Sequence, residues 1–209
     1  WSRLGDTAIY RPLHHGEAWD TADLAGHAVY ILDFSFPPER LEEMAGIAAS
    51  VTQIDHHASA MQAWGSRLQS NERGEQSYRH PTLPLRVFFN LEKSGARLAW
   101  EHFHPEVTPP LALRHIEDQD MWRFALPGTR AFCRALRLLP FDLGTWHRLV
   151  VDTPDEAAPR YRETIVQGTA IEQYFEREVE RLAGSLLRTA AQVRGEPVDA
   201  LQALRHGQA

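Results

Sequence analysis

The chain has little cysteine, no excess of basic residues and no long apolar run, and each absence excludes a class of protein. A single cysteine among 209 residues excludes an internal disulfide framework and is consistent with a reducing compartment. A formal net charge of −6 argues against a protein that coats duplex nucleic acid through a basic face. No apolar run approaches the roughly 20 residues that cross a bilayer. We therefore expect a cytoplasmic protein that binds neither membranes nor long duplexes.

Internal repeats and low-complexity tracts are also absent, while the composition allows a sizeable core. Hydrophobic residues make up 43% of the chain, enough for one full domain, or for one domain with an appendage. Between residues 159 and 194, apolar residues recur at the spacing of a helix face. The sequence therefore predicts an α/β domain over residues 1–158, a helical linker over 159–194 and a polar tail over 195–209.

Two apolar, strand-forming runs end in groups that bind metal ions. Residues 51–54 lead into the triplet Asp55-His56-His57, and residues 28–32 lead into Asp33. Histidine together with carboxylate suits a borderline divalent ion such as Mn²⁺, and imidazole also suits Zn²⁺. The alternative is structural, namely a strand that ends in a polar turn with two histidines that happen to be neighbours.

The segment between these runs has the pattern of a helix, which determines how the two strands run. Residues 39–49 carry acidic groups in their first turns and apolar groups on one face. Strand, helix and strand at this length form a βαβ unit, whose two strands are parallel. Because ligands of such sheets gather beyond the carboxyl ends of the strands, we expect Asp33 and the triplet at the same edge.

Four other segments have less decisive patterns. Ser94-Gly95 begins a helix after the predicted strand 85–89, and the serine is either an ordinary N-cap or part of a phosphate site at the helix end. The acidic segment 117–120 is either a solvated helix end or a ligand-bearing turn. Residues 69–84 are polar and rich in turn formers, which predicts a surface loop. Residues 8–13 predict a short strand.

Taken together, these motifs resemble the DHH phosphoesterase superfamily, which is named for its Asp-His-His triplet. Relatives include RecJ-type exonucleases, short-RNA-degrading phosphoesterases and family II inorganic pyrophosphatases. The segment 31–35 looks like the family's second motif, Ser94-Gly95-Ala96 is similar to the link between the third and fourth motifs, and residues 116–122 look like the acidic fourth motif. The resemblance covers about residues 1–190 and implies a Rossmann-like parallel sheet flanked by helices.

The resemblance implies a metal-ligand role for three of these residues. Asp33 would bridge two divalent ions, usually Mn²⁺, with Mg²⁺, Co²⁺ or Zn²⁺ as alternatives. His56 would ligate the second ion. Asp118 would supply the remaining ligand, in preference to Asp120. Two such ions clamp a phosphoryl group and lower the pKa of a bridging water toward neutrality.

The resemblance also implies which residues meet the substrate. His57 would contact the scissile phosphate or the metal shell, and Asp55 would orient the two histidines from behind. Ser94 and Gly95 would bind substrate. The expected reaction is two-ion hydrolysis of phosphodiester or phosphoanhydride bonds in small nucleotides or short single-stranded oligonucleotides, without a protein nucleophile.

The sequence departs from the family pattern in two places. The family's first motif, a His followed by two spaced Asp residues on an N-terminal strand, has no counterpart. The chain after residue 194 is too short for the Gly-rich substrate-binding domain that many relatives carry. We therefore expect weak hydrolysis by this chain alone. The alternative is a non-catalytic DHH domain with an impaired metal site, which binds a nucleotide or a protein partner.

Overall fold

The computed structural model describes residues 4–14, 16, 22–72 and 74–194, which form an α/β fold. The predicted tail 195–209 lies outside the described residues. Short 3₁₀ turns occur at Gly5–Thr7, Ala22–Leu24 and Gly65–Arg67. The strands and α-helices, in chain order, are β1 (Ala28–Leu32), α1 (Pro38–Ile47), β2 (Ser50–Asp55), α2 (Ala58–Gln62), β3 (Gln69–Ser70), β4 (Gln76–Arg79), β5 (Leu85–Phe89), α3 (Gly95–Phe103), α4 (Leu111–Asp120), α5 (Thr129–Leu136), α6 (Leu143–Asp152) and α7 (Pro159–Arg194).

The five strands form a mixed sheet in the order β1-β2-β5-β4-β3. The predicted βαβ unit is confirmed, because β1, α1 and β2 are consecutive and β1 pairs with β2 in parallel. Strand β5 continues the parallel part of the sheet, whereas β4 and β3 extend it in the antiparallel direction. The predicted parallel sheet is therefore confirmed for β1, β2 and β5 only, and the segment 69–84, which the sequence predicts as a surface loop, contains β3 and β4. Strands β3 and β4 consist mainly of polar residues on the antiparallel side of the sheet, so no apolar run in the sequence indicates them.

Strand β2 is the buried centre of the parallel part of the sheet, so its last residue, Asp55, is buried as well. All but its first residue are buried, since β1 and β5 flank it and helices cover it. On one face, Leu41 and Met44 of α1 pack against Val51 and Val87 of the sheet, all four without exposed surface. The sequence identified this strand by its β-branched residues Val51, Thr52 and Ile54, although Gln53 and Asp55 are polar and buried.

A second core lies among α4, α5, α6 and α7. Phe132 and Leu149 are fully buried there, and the first turns of α7 contribute Tyr161 and Ile165. Helices α5 and α7 approach so closely that a Cβ at Gly168 would lie 1.7 Å from the Ala131 carbonyl oxygen. The predicted helix 159–194 is confirmed, but its first half packs into this core.

One local prediction is wrong. Residues 8–13 form no strand, because none of them pairs with another described strand. Helix α2 ends at Gln62 and is followed by a 3₁₀ turn that begins at Gly65, whose φ of +51° interrupts the α-helix. Among the residues that the structure describes, no helix combines the length and the apolar character needed to cross a bilayer.

Candidate metal centre

Four metal-capable side chains meet at the carboxyl ends of β1 and β2, as the sequence predicted. Asp33, Asp55, His56 and His57 each offer a ligand atom, and these atoms all lie within 4.8 Å of one another. The parallel register pairs Leu32 with Ile54, so the residues that follow the two strands are neighbours. Asp33 has a φ of +55°, an uncommon backbone conformation that aspartate tolerates better than most residues.

Asp55 is a buried support for the two histidines. Its Oδ1 accepts a hydrogen bond from the His56 backbone N–H at 2.8 Å and lies 2.7 Å from His57 Nδ1. Its Oδ2 accepts the hydroxyl proton of Ser35 at 2.5 Å. Because both oxygens are occupied and the side chain has no exposed surface, Asp55 orients the histidines instead of reaching a cation itself. This arrangement agrees with the orienting role expected for Asp55.

The contact with Asp55 also determines what His57 can do. Its hydrogen bond to Asp55 is the main cause that raises the pKa of His57 above its ordinary value. With Nδ1 facing Asp55, Nε2 is the ring nitrogen left for a ligand or substrate, and the side chain is 56% exposed. An imidazole with a raised pKa holds its proton more readily near neutral pH, which suits it to donate to a phosphate oxygen.

His56 faces two carboxylates. Its Nε2 lies 3.2 Å from Asp33 Oδ1 and 3.6 Å from Asp120 Oδ2, and its side chain is largely buried. Burial is the main cause that raises the pKa of Asp33; His56 opposes this rise, and Asp120 adds to it. His56 Nε2 thus lies close to both carboxylates, and carboxylate together with imidazole suits a divalent cation.

The structure does not bring Asp118, the ligand that the resemblance implies, into this cluster. Its Oδ1 accepts the Ala125 N–H at 2.8 Å, and its Oδ2 accepts the Leu126 N–H at 3.0 Å and the Thr129 hydroxyl at 2.5 Å. These hydrogen bonds outweigh burial and lower the pKa of Asp118. Asp120, which we ranked second, takes the position expected for Asp118.

The phase of α4 explains why Asp118 is buried while Asp120 lies at the cluster. Leu111, His115 and Asp118 follow one another at helical spacing and are all buried. Asp120 falls on another face of the same helix and is partly exposed at the edge of the cluster.

Ser94 and Gly95 support the cluster from the first turn of α3. The Ser94 Oγ accepts the Arg97 backbone N–H at 3.1 Å, so the N-cap alternative is confirmed. Both residues are buried, and a Cβ placed on Gly95 would lie 2.1 Å from Asp33 Oδ1. Their position gives them a structural task, which is to let the helix end approach Asp33. The resemblance implies that both residues bind substrate. Nothing in this geometry exposes them to one, and that role stays a prediction.

Ion pairs join α3 to α4 and hold the two ends of the cluster together. Arg97 pairs with Glu117 at 3.2 Å and with Glu101 at 2.6 Å, and Lys93 pairs with Glu101 at 2.7 Å. Since Glu117 lies one turn before Asp120, these contacts fix the distance between the Gly95 end of α3 and the Asp120 end of α4. Ser35 and this ion-pair group were missed in the sequence, because they come together only in the folded chain.

Comparison with known proteins places few constraints on the site. No protein-family model matches the chain, and no solved structure does. The chain is 28% identical over 149 residues to "Uncharacterized protein R106" of Acanthamoeba polyphaga mimivirus, a match that covers 68% of this chain and 32% of the viral protein. The chain thus spans about a third of the length of this relative.

Proposed function

We propose that the chain carries the metal site of a DHH-type, Mn²⁺-dependent phosphohydrolase that acts on small nucleotides or short oligonucleotides. The observation that carries the proposal is the convergence of Asp33, His56 and Asp120 at the carboxyl ends of two parallel strands. Ligands of open α/β sheets bind at this edge. The Asp-His-His triplet at the end of β2 supports the further proposal that the sheet is that of a DHH domain.

The donor chemistry fits a hard or borderline cation. Two carboxylate oxygens and one imidazole nitrogen suit Mn²⁺, and Mg²⁺, Co²⁺ and Zn²⁺ are alternatives that differ in affinity. Asp33, His56 and Asp120 would hold the ion, with His57 Nε2 beside it. A bound cation would neutralise charge on the phosphoryl oxygens and lower the pKa of a coordinated water.

The residues of the chain contribute binding and proton positioning. The Asp55 carboxylate fixes the ring of His57 so that Nε2 faces away from β2. The raised pKa of His57 favours a protonated ring, which donates a hydrogen bond to a non-bridging phosphate oxygen. Asp55 itself stays in its hydrogen bonds to Ser35 and the His56 backbone. No step requires a nucleophile from the protein.

The number of ligand atoms predicts how active this chain is. Within the described residues, the cluster and Asp120 supply three or four ligand atoms, which is enough for one ion completed by water. A two-ion site of the family type needs more ligands. We therefore expect this chain to bind one Mn²⁺ and to hydrolyse slowly. The non-catalytic alternative predicts the same number of bound ions and no hydrolysis.

The proposal is tested by stoichiometry and turnover together. Metal-free protein would be titrated calorimetrically with Mn²⁺ and then assayed with a panel of short RNAs, cyclic dinucleotides and pyrophosphate. One bound Mn²⁺ with slow Mn²⁺-dependent hydrolysis that Asp120→Asn abolishes would support the phosphohydrolase. One bound Mn²⁺ without hydrolysis of any substrate would support the non-catalytic alternative. Absence of Mn²⁺ binding would refute the phosphohydrolase.

A further inference from the structure

The turn that follows α4 begins directly after Asp120 and exposes an aromatic side chain. Trp122 is 77% exposed. Its φ is +57°, and that of Phe124 is +49°. Positive φ is an outlier for bulky residues, and such strain clusters at functional sites. A large exposed indole on a strained backbone has a cost in stability that packing does not explain.

The turn is held rigidly in this conformation. The backbone N–H groups of Arg123 and Phe124 donate to the Asp118 carbonyl oxygen at 2.9 and 3.3 Å. Those of Ala125 and Leu126 donate to the Asp118 carboxylate at 2.8 and 3.0 Å. Four consecutive N–H groups are thus satisfied by one residue, so the indole is presented on a preorganised backbone.

Neighbouring groups support the indole from one side and leave the rest of it open. Phe124 contacts Trp122 edge to face, with ring centroids 5.1 Å apart and an interplanar angle of 66°. The Arg130 guanidinium lies 3.8 Å from the centroid of the Phe124 ring, in a cation–π contact that holds this ring in place. The support orients Trp122 without covering it, since most of its surface remains exposed.

The position of this turn relates the indole to the phosphate that the cluster would bind. Trp122 follows Asp120 by two residues, so their Cα atoms lie within about 7 Å of each other. The Asp120 carboxylate faces His56 at 3.6 Å. We propose that Trp122 is a stacking platform for the nucleobase of a substrate whose phosphate lies at the metal cluster. This inference rests on the proposed function and narrows its substrates to those that carry a base.

Base stacking on an aromatic side chain accepts every base, because each has a π-face. The platform therefore predicts preference for nucleotides over phosphates that lack a base, without preference for one base sequence. From typical stacking energies, we expect a base-bearing ligand to bind roughly 5- to 150-fold more tightly than its abasic counterpart.

The test compares two ligands that differ only in their bases. Calorimetry would measure, with and without Mn²⁺, the binding of a 5′-phosphorylated thymidine dinucleotide and of its analogue with tetrahydrofuran in place of each nucleoside. The variants are Trp122→Ala and Trp122→Phe, and circular dichroism would verify their folds. Phe141→Ala is the matched control, because Phe141 is 90% exposed and lies in the connection between α5 and α6.

We expect the wild-type chain and Phe141→Ala to prefer the base-bearing ligand by the same factor. Trp122→Ala should bind both ligands with the affinity of the abasic one, and Trp122→Phe should retain part of the preference. Equal binding of the two ligands by the wild type, or an unchanged preference in Trp122→Ala, would overturn the proposal. A preference that persists while Mn²⁺ fails to bind would refute the proposed metal function and leave the platform intact.

Discussion

Replacement of Gly95 by alanine tests the packing of α3 against the metal cluster. In most helices this change stabilises the protein by about 1 kcal/mol, because alanine has the higher helix propensity. At Gly95 the new Cβ would lie 2.1 Å from Asp33 Oδ1, 2.4 Å from its Cγ and 2.5 Å from its Cβ. Since one of these atoms is adjacent to the backbone, a rotation of the carboxylate alone does not relieve the overlap.

The expected magnitude follows from overpacking and from the displacement of Asp33. Inserted methyl groups in tightly packed sites cost about 1–3 kcal/mol, so the sign of the usual Gly→Ala effect should reverse. Asp33 Oδ1 lies 3.2 Å from His56 Nε2 and must move away from it. Loss of a supporting contact of this kind typically weakens metal binding about 10- to 100-fold.

Gly46→Ala provides the matched control. Gly46 lies in α1, and a Cβ there would meet nothing within 4 Å, so this variant should gain about 1 kcal/mol. Urea denaturation would give both changes in the free energy of unfolding, and calorimetric titration would give both Mn²⁺ affinities. If Gly95→Ala were as stable as Gly46→Ala and bound Mn²⁺ as tightly as the wild type, the close approach of α3 to Asp33 would be refuted.

Three other predictions concern the buried groups around α4 and α5. Asp118→Asn should lower the free energy of unfolding by about 1–3 kcal/mol in urea denaturation, because the amide has a single acceptor oxygen and cannot accept from Ala125 at one position and from Leu126 and Thr129 at the other. Asp120→Asn should weaken Mn²⁺ binding without that loss, and equal losses of stability would contradict the assignment. Burial lowers the pKa of His115 below its ordinary value of 6.5. The neutral ring therefore contributes its full stability above pH 6.5, and this stability is lost as the pH falls toward the pKa of His115 in the folded state. Between pH 7 and pH 5, the free energy of unfolding should fall less steeply in His115→Gln than in the wild type, by at most about 1.4 kcal/mol per pH unit. Equal slopes for the two proteins in urea denaturation at each pH would refute this. Burial also raises the pKa of the Cys133 thiol to about 11, so a thiol reagent such as dithiobis(nitrobenzoate) should react with it only after unfolding, and rapid reaction of the folded protein would contradict its burial.

The sequence predicted the centre of the site because residues that are neighbours along the chain determine it. Asp33 and the Asp55-His56-His57 triplet each follow an apolar run directly, and parallel strands bring their carboxyl ends to one edge whatever the rest of the chain does. The capping role of Ser94 is local for the same reason. The resemblance to the DHH superfamily rests on these motifs, and the proposed phosphohydrolase activity remains a prediction.

Predictions failed where distant contacts decide the structure. The choice between Asp118 and Asp120 depends on where α4 ends and on Thr129, whose hydroxyl occupies an oxygen of Asp118. Strand β4 is identified only by its partner β5, since its own residues are mainly polar. The contact between Gly95 and Asp33 joins segments that are 62 positions apart in the sequence. Such tertiary contacts leave no periodic signal in a single chain.

The central claim is that Asp33, His56 and Asp120 bind one divalent cation together. At a Mn²⁺ concentration 100 times the dissociation constant, binding should add about 2.7 kcal/mol to the free energy of unfolding. For a chain of this size the melting temperature should rise by roughly 5–10 °C. His27→Ala, at an exposed histidine before β1, is the control and should keep this rise.

Differential scanning calorimetry of the wild type and of His56→Ala, each with and without Mn²⁺, is the most direct measurement. We predict that the metal raises the melting temperature of the wild type and leaves that of His56→Ala unchanged. An equal rise in both proteins, or no rise in the wild type, would contradict the metal site.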